Sequence, residues 1–155
     1  MATSPAQLAA RYDRICAQLA ELFEKNDDPT ARMATINALI HHKMPHFFWT
    51  GFYRLIDGKL KVGPYQGPLA CAILDGPEGV CWACVTRRDS IVVPDVHAFE
   101  GHVACDERSQ SEIVVPVFDG DDLVAVLDVD SDKPDAFGDA DRAGLEKIVG
   151  LINRN

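Results

Sequence analysis

Two apolar runs, Ser111 to Phe118 and Leu123 to Asp130, are separated only by Asp119-Gly120-Asp121. A glycine beside aspartate between β-prone runs is a hairpin signal, because such residues accept the positive φ that tight turns demand. The same arrangement occurs upstream. Phe47 to Leu55 is aromatic and β-prone, Asp57-Gly58 turns the chain, and Lys59 to Tyr65 returns. Two hairpins make a mainly antiparallel sheet, and such a sheet buries one face against something else. The chain ends supply the cover. Ser4-Pro5-Ala6-Gln7 is a capping box with proline at the first helical position. Leu8, Tyr12, Ile15, Leu19 and Leu22 then recur at helical spacing to about Glu24, with Cys16 at the edge of the stripe. Asp28-Pro29 starts a second helix, with Met33, Ile36, Leu39 and Ile40 on its apolar face, stopped by Pro45. A last helix begins near Asp139 and carries Leu145, Ile148, Val149 and Ile152.

The middle of the chain is mixed. Leu69 to Leu74, which contains Cys71, reads as a short strand; Val80 to Arg87 as a short helix; Ile91-Val92-Val93 as a strand stopped by Pro94. Asp95 to Gln110 is long for a loop in a compact domain, and loops of that length are usually functional. The expected fold is α+β: one domain over residues 1–155, with N-terminal helices in 1–45 and the sheet, active-site loops and C-terminal helix in 46–155. The terminal helices pack on one face of the sheet. A length of 155 residues suits one core.

The formal net charge is −9, which disfavours nucleic acid and anionic membrane, since both require basic patches. The N-terminal residues have neither the basic start nor the apolar block of a signal peptide. A cytoplasmic protein is therefore expected. In a reducing compartment five cysteines point to catalysis, redox chemistry or metal binding rather than to a permanent disulfide framework.

Chemistry concentrates in a few places. Cys105 lies in a polar loop that runs directly into the strand carrying Glu112. Strand alternation puts Val124, Val126, Asp128 and Asp130 on one side, so two acids end an apolar face. Buried together they would raise each other's pKa and invite a cation such as a substrate ammonium group, or one would stay protonated and donate a hydrogen bond. The plain alternative is that the strand ends there and both are solvated. Alternation also puts Trp49, Gly51 and Tyr53 together, with Phe48 and Phe52 on the other side. Cys81-Trp82-Ala83-Cys84 is a CxxC motif at a helix start, where the dipole lowers a thiol's pKa. Zinc would need four ligands, drawn from this pair, Cys71, Cys105, His97 and His102. For His41, His42 and His46, near a helix C-terminus, a dipole interaction is a simpler reading than a metal site.

Taken together, Trp49-Thr50-Gly51-Phe52-Tyr53, Gly63-Pro64-Tyr65-Gln66-Gly67, Ala70-Cys71, Gly79-Val80-Cys81, Asp95-Val96-His97, Gly101-His102-Val103-Ala104-Cys105-Asp106, Ser111 to Pro116 and Leu127 to Ser131 resemble the free methionine-(R)-sulfoxide reductases, which are single GAF domains. The resemblance implies Cys105 as nucleophile and Cys71 and Cys81 as resolving cysteines. Glu112, Asp128 and Asp130 become the acids of the substrate pocket, and Trp49 and Tyr53 its aromatic side. It further implies thioredoxin as reductant, no bound cofactor or metal, and a homodimer. Two departures stand out. Trp82 follows Cys81 where a small residue is expected, so it should crowd the pocket or re-aim Cys81. Cys84 is additional, and either fills the core or relays a disulfide. The competing readings are a GAF sensor without turnover and a zinc-binding domain.

Overall fold

The computed structural model describes residues 2–154. Helix α1 (Pro5–Phe23) starts at the capping box read from the sequence. Ser4 Oγ accepts from the Gln7 amide at 3.2 Å and Gln7 Oε1 from the Ser4 amide at 2.9 Å. Helix α2 (Pro29–Lys43) is capped by Asp28, which accepts from the Ala31 amide. The sheet holds β1 (Trp49–Ile56), β2 (Lys59–Gln66), β3 (Ile73–Leu74), β4 (Ile91–Val93), β5 (Ser111–Asp119) and β6 (Asp122–Ser131). Helix α3 (Val80–Arg87) lies between β3 and β4 in sequence, and α4 (Asp139–Val149) follows β6. The strand order is β3-β2-β1-β6-β5-β4, and every pairing is antiparallel. Both hairpins close over two-residue turns. Asp57 and Gly58 have φ of 52° and 74°, and Gly120 has 61°, the left-handed region that the turn dipeptides supply.

One face of the sheet presents Phe52, Ile113, Val115, Leu127 and Val129 to Tyr12, Ile15, Ile36, Ile40, Leu145 and Ile148 of α1, α2 and α4. The terminal helices thus share one face, as the amphipathic patterns required. Burying whole apolar side chains of this size contributes about 1.5–3 kcal/mol each. Arg32, 6% exposed, ties the helical layer together. Its guanidinium donates to the carbonyls of Asn26, Phe23, Leu151, Ile152 and Arg154 at 2.7–3.2 Å. At the start of α4, buried Asp141 accepts from Tyr12 Oη at 2.7 Å, from the Gly138 amide, and pairs with His46 at 2.9 Å. His46 lies beyond the end of α2 and is a partner of α4.

The opposite face is covered by α3 and by the loops before and after it. Three sequence expectations change here. Leu69 to Leu74 is strand only at Ile73–Leu74, and Cys71 lies in the preceding loop. Gly67, at φ 120°, and Pro68 carry the chain away from the edge of β2 before it returns. In β6, a bulge opposite Val117/Phe118 interrupts the alternation. Val124 therefore joins the helical side, and Leu123 takes its place beside Val126. Phe48 precedes β1 instead of alternating within it, and its ring turns back to lie under the Arg108 guanidinium at 4.9 Å.

Candidate active site

Cross-strand register assembles the site. Trp49 of β1 is paired with Asp130 of β6, and Asp130 with Glu112 of β5. One row further along, Gly51 is paired with Asp128, and Asp128 with Val114. Directly opposed residues on one face stand about 5 Å apart at Cβ. A hairpin, β5 and β6, and the remote strand β1 therefore bring three acids and an indole into one patch. Gly51 makes room for the indole: a Cβ there would lie 2.5 Å from Trp49 Cη2 and 2.4 Å from Tyr65 Cβ. The Trp49 ring is stacked between Tyr53 and Tyr65, with centroids 5.9 and 5.4 Å away. Tyr65 supports the Trp49 ring from β2, and alternation within β1 alone does not find it; its pairing with Gly51 does.

The aromatic groups also hold the loop that carries Cys71. Trp49 Nε1 donates to Pro68 O at 3.0 Å, Tyr53 Oη to Cys71 O at 3.0 Å, and Trp82 Nε1 to Leu74 O at 2.9 Å. Trp82 packs against Gly76 and is not among the cleft residues, so it braces the loop and does not crowd the pocket. From the other side, the segment after β4 brings His102, Val103, Ala104, Cys105, Asp106 and Ser109 to the rim. Arg108 forks onto Asp106 at 2.8 and 3.0 Å. These hydrogen bonds hold the Asp106 carboxyl down to about 2. With Arg108 also seated on Phe48, the loop beside Cys105 is anchored.

Cys71 and Cys105 are joined in a disulfide with Cα atoms 5.6 Å apart. Cys105 is exposed and Cys71 half-buried. Cys16, Cys81 and Cys84 are free. Cys81, 5% exposed, lines the cleft from α3, whereas Cys84 is fully buried and does not. Being at a helix start does not activate Cys81. Burial pushes its thiol well up, and Asp128 and Glu112 push the same way. Burial likewise raises Cys84, to about 12. The expectation of a lowered pKa in the CxxC motif fails because desolvation outweighs the dipole of one short helix.

The cleft is lined by Trp49, Tyr53, Cys81, Cys105, Glu112, Asp128 and Asp130 together with the rim residues. Glu112 and Asp128 are 5% and 7% exposed, so the reading of solvated strand-end acids does not hold for them. Burial pushes the Glu112 carboxyl well up, and Asp128 and Asp130 add to the shift. Asp130 is raised by burial and then by Asp128. Asp128 is raised by burial too, but hydrogen bonds from Glu112 and Cys81 oppose the rise. Asp128 is thus the group of the three best placed to carry charge, with Glu112 and Asp130 as proton holders. His102 Nε2 lies 3.8 Å from Glu112 Oε2, and burial keeps the imidazole pKa low. The four-ligand zinc set does not assemble: Cys71 and Cys105 are bonded to each other, and exposed His97 pairs with Asp95.

The GAF domain family matches residues 35–154. A free methionine-R-sulfoxide reductase of Escherichia coli is 39% identical over 80% of this chain and 75% of its own. The solved free methionine-R-sulfoxide reductase of Neisseria meningitidis, in complex with its substrate, superposes with a TM-score of 0.88 at 33% identity, covering 94% of this chain and 87% of that one. This chain belongs to the free methionine-R-sulfoxide reductase family of GAF domains. A further structure of that family, the reduced form of fRMsr from Staphylococcus aureus, is 41% identical with a TM-score of 0.87 and covers 92% of each chain. Cys71 and Cys105 sit in loops, and the acids sit where strands pair. The sheet therefore holds the acids rigid, while the bond between Cys71 and Cys105 joins two flanking loops.

Proposed function

We propose that this chain reduces free L-methionine-(R)-sulfoxide to methionine, with Cys105 as nucleophile and Cys71 as the thiol that resolves it. The observation that carries the reading is the Cys71–Cys105 pair at the mouth of a cleft walled by three acids and stacked aromatics. The Cys105 thiolate attacks the sulfoxide sulfur. The oxygen passes to the Cys105 sulfur as sulfenic acid, and the substrate sulfur leaves as a thioether, reduced by two electrons. Glu112 or Asp130, protonated in the buried site, supplies the proton that the oxygen requires. Asp128 receives the ammonium group, and Trp49 and Tyr53 line the side chain's path. The Cys71 thiolate then attacks Cys105 Sγ, a disulfide forms, and the oxygen leaves as water. A dithiol returns two electrons and two protons by exchange. Cys81 is the remaining candidate for resolution, but its buried, proton-holding thiol favours Cys71.

Thioredoxin is the reductant we assign, on the family resemblance and on the exposure of Cys105 to a large partner. The cleft's own residues supply the chemistry, and no bound cofactor enters the scheme. Residues 1–155 act as one domain, and we assign a homodimer on the family resemblance alone. We place the protein in the cytoplasm, where thiols are kept reduced. No helix among the described residues is long and apolar enough to cross a membrane.

Dithiothreitol-driven release of methionine, measured separately from the (R) and (S) epimers, tests the activity. Turnover of (R) alone, abolished in Cys105→Ser, supports the proposal. No turnover of either epimer by reduced, folded protein would move the assignment to a sensor domain.

A further inference from the structure

The cleft holds a thiol that the reductase scheme leaves idle, Cys81, directed at two of the pocket acids. Cys81 of α3, Glu112 of β5 and Asp128 of β6 point at one another, with one ligand atom from each lying within 4.8 Å of the others. All three residues are buried. Asp128 Oδ1 has no hydrogen-bond partner, although its residue is 7% exposed. A buried acceptor left bare costs about 1–3 kcal/mol, so a guest that fills it is favoured. No lysine or arginine lines the cleft to serve as that guest.

We propose that Cys81, Glu112 and Asp128 form a binding site for a thiophilic divalent cation of the zinc, cobalt or cadmium class. One thiolate with two carboxylates suits such ions, whereas calcium and magnesium prefer oxygen alone. Bonds of about 2.3 Å to sulfur and about 2.1 Å to oxygen place tetrahedral ligands about 3.5 Å apart. Side-chain rotation by roughly an ångström therefore closes the set around an ion. Three protein ligands leave the fourth position open towards the cleft, the arrangement of an exchangeable site. The site overlaps the place given above to the substrate ammonium group, so ion and substrate exclude one another where that assignment holds. The binding itself does not rest on the reductase reading. It differs from the four-ligand zinc domain considered from the sequence, because Cys71, Cys105 and both loop histidines are outside it.

The oxidised protein isolates the site, since Cys71 and Cys105 are then unable to act as thiolate ligands. Titrating it with Co2+ and reading the near-ultraviolet sulfur-to-cobalt charge-transfer absorption should give one equivalent of thiolate-bound metal, displaced by Zn2+. The absorption should be lost in Cys81→Ser and kept in Cys84→Ser and Cys16→Ser, the other two free thiols. Glu112→Gln keeps the shape of the site and should weaken Co2+ binding at least about tenfold. No charge-transfer absorption in folded wild-type protein overturns the proposal. So does absorption that survives in Cys81→Ser, or unchanged affinity in Glu112→Gln. Loss of epimer turnover with the cobalt signal intact would sink the reductase reading and leave the metal site standing.

Discussion

Gly51 shows how a single missing atom shapes the cleft. Its α-carbon is the floor on which the Trp49 indole rests, and any Cβ collides with both Trp49 and Tyr65. Gly51→Ala is expected to lose about 1–3 kcal/mol of stability in urea unfolding, the usual cost of overpacking. KM should rise more than kcat falls, because the displaced ring lines substrate rather than donating protons. Glu112 makes the opposite trade. Its carboxyl is raised in the folded state by burial and by its acidic neighbours. Folded protein therefore holds a proton that unfolded chain releases above about pH 4.3. The stability this residue contributes is complete below the unfolded pKa and drains away as pH rises towards the folded one. Glu112→Gln has nothing to release. It should match wild type near pH 4 and then gain on it by up to about 1.4 kcal/mol per pH unit within that window, while losing turnover. Denaturation of both proteins at pH 4.5 and 7, in the same redox state, checks the sign.

Among the elements, the helical layer depends on one charge that the sequence does not announce. Arg32 sits within the α2 pattern as an ordinary polar position, yet it is buried and serves five carbonyls at the ends of α1 and the C-terminal segment. Carbonyls at helix ends lack intrahelical donors, and a planar guanidinium serves several at once. Arg32→Met keeps much of the stem and removes the donors, so a loss of about 3 kcal/mol or more is expected in denaturant titration. Helix α3 carries the reverse lesson. Its bounds, Val80–Arg87, match the sequence reading, but the reactivity expected of its CxxC motif does not survive burial. Strand β6 adds a third case. Alternation carried Asp128 and Asp130 to the cleft side, and a bulge ahead of them moved Val124 away without disturbing the acids.

Across the whole molecule, the Cys71–Cys105 bond joins the loop after β2 to the loop before β5, 34 residues apart. Closing a loop of that length removes unfolded-state entropy worth about 4 kcal/mol in the chain-entropy account. Oxidised protein should melt well above the same protein in dithiothreitol, and Cys71→Ser should abolish most of the difference. Equal melting temperatures with and without reductant would mean that the two loops are held by packing alone.

The helices, both hairpins and the α+β class follow from local rules: caps, turn dipeptides and periodicity act between residues close in sequence. The resemblance added the list of thiols, acids and aromatics. Cross-strand register, burial and loop closure belong to the tertiary structure. Trp49, Asp130 and Glu112 line up only because β1, β6 and β5 pair in this order. The protons held by the acids and by Cys81 depend on how much water the surrounding chain excludes, which no local pattern encodes. Trp82 braces a loop and Arg32 serves five carbonyls for the same reason. Trp82 reaches a loop only six to eight residues upstream, but the bend that brings it there is fixed by packing; three of the carbonyls on Arg32 come from some 120 residues away.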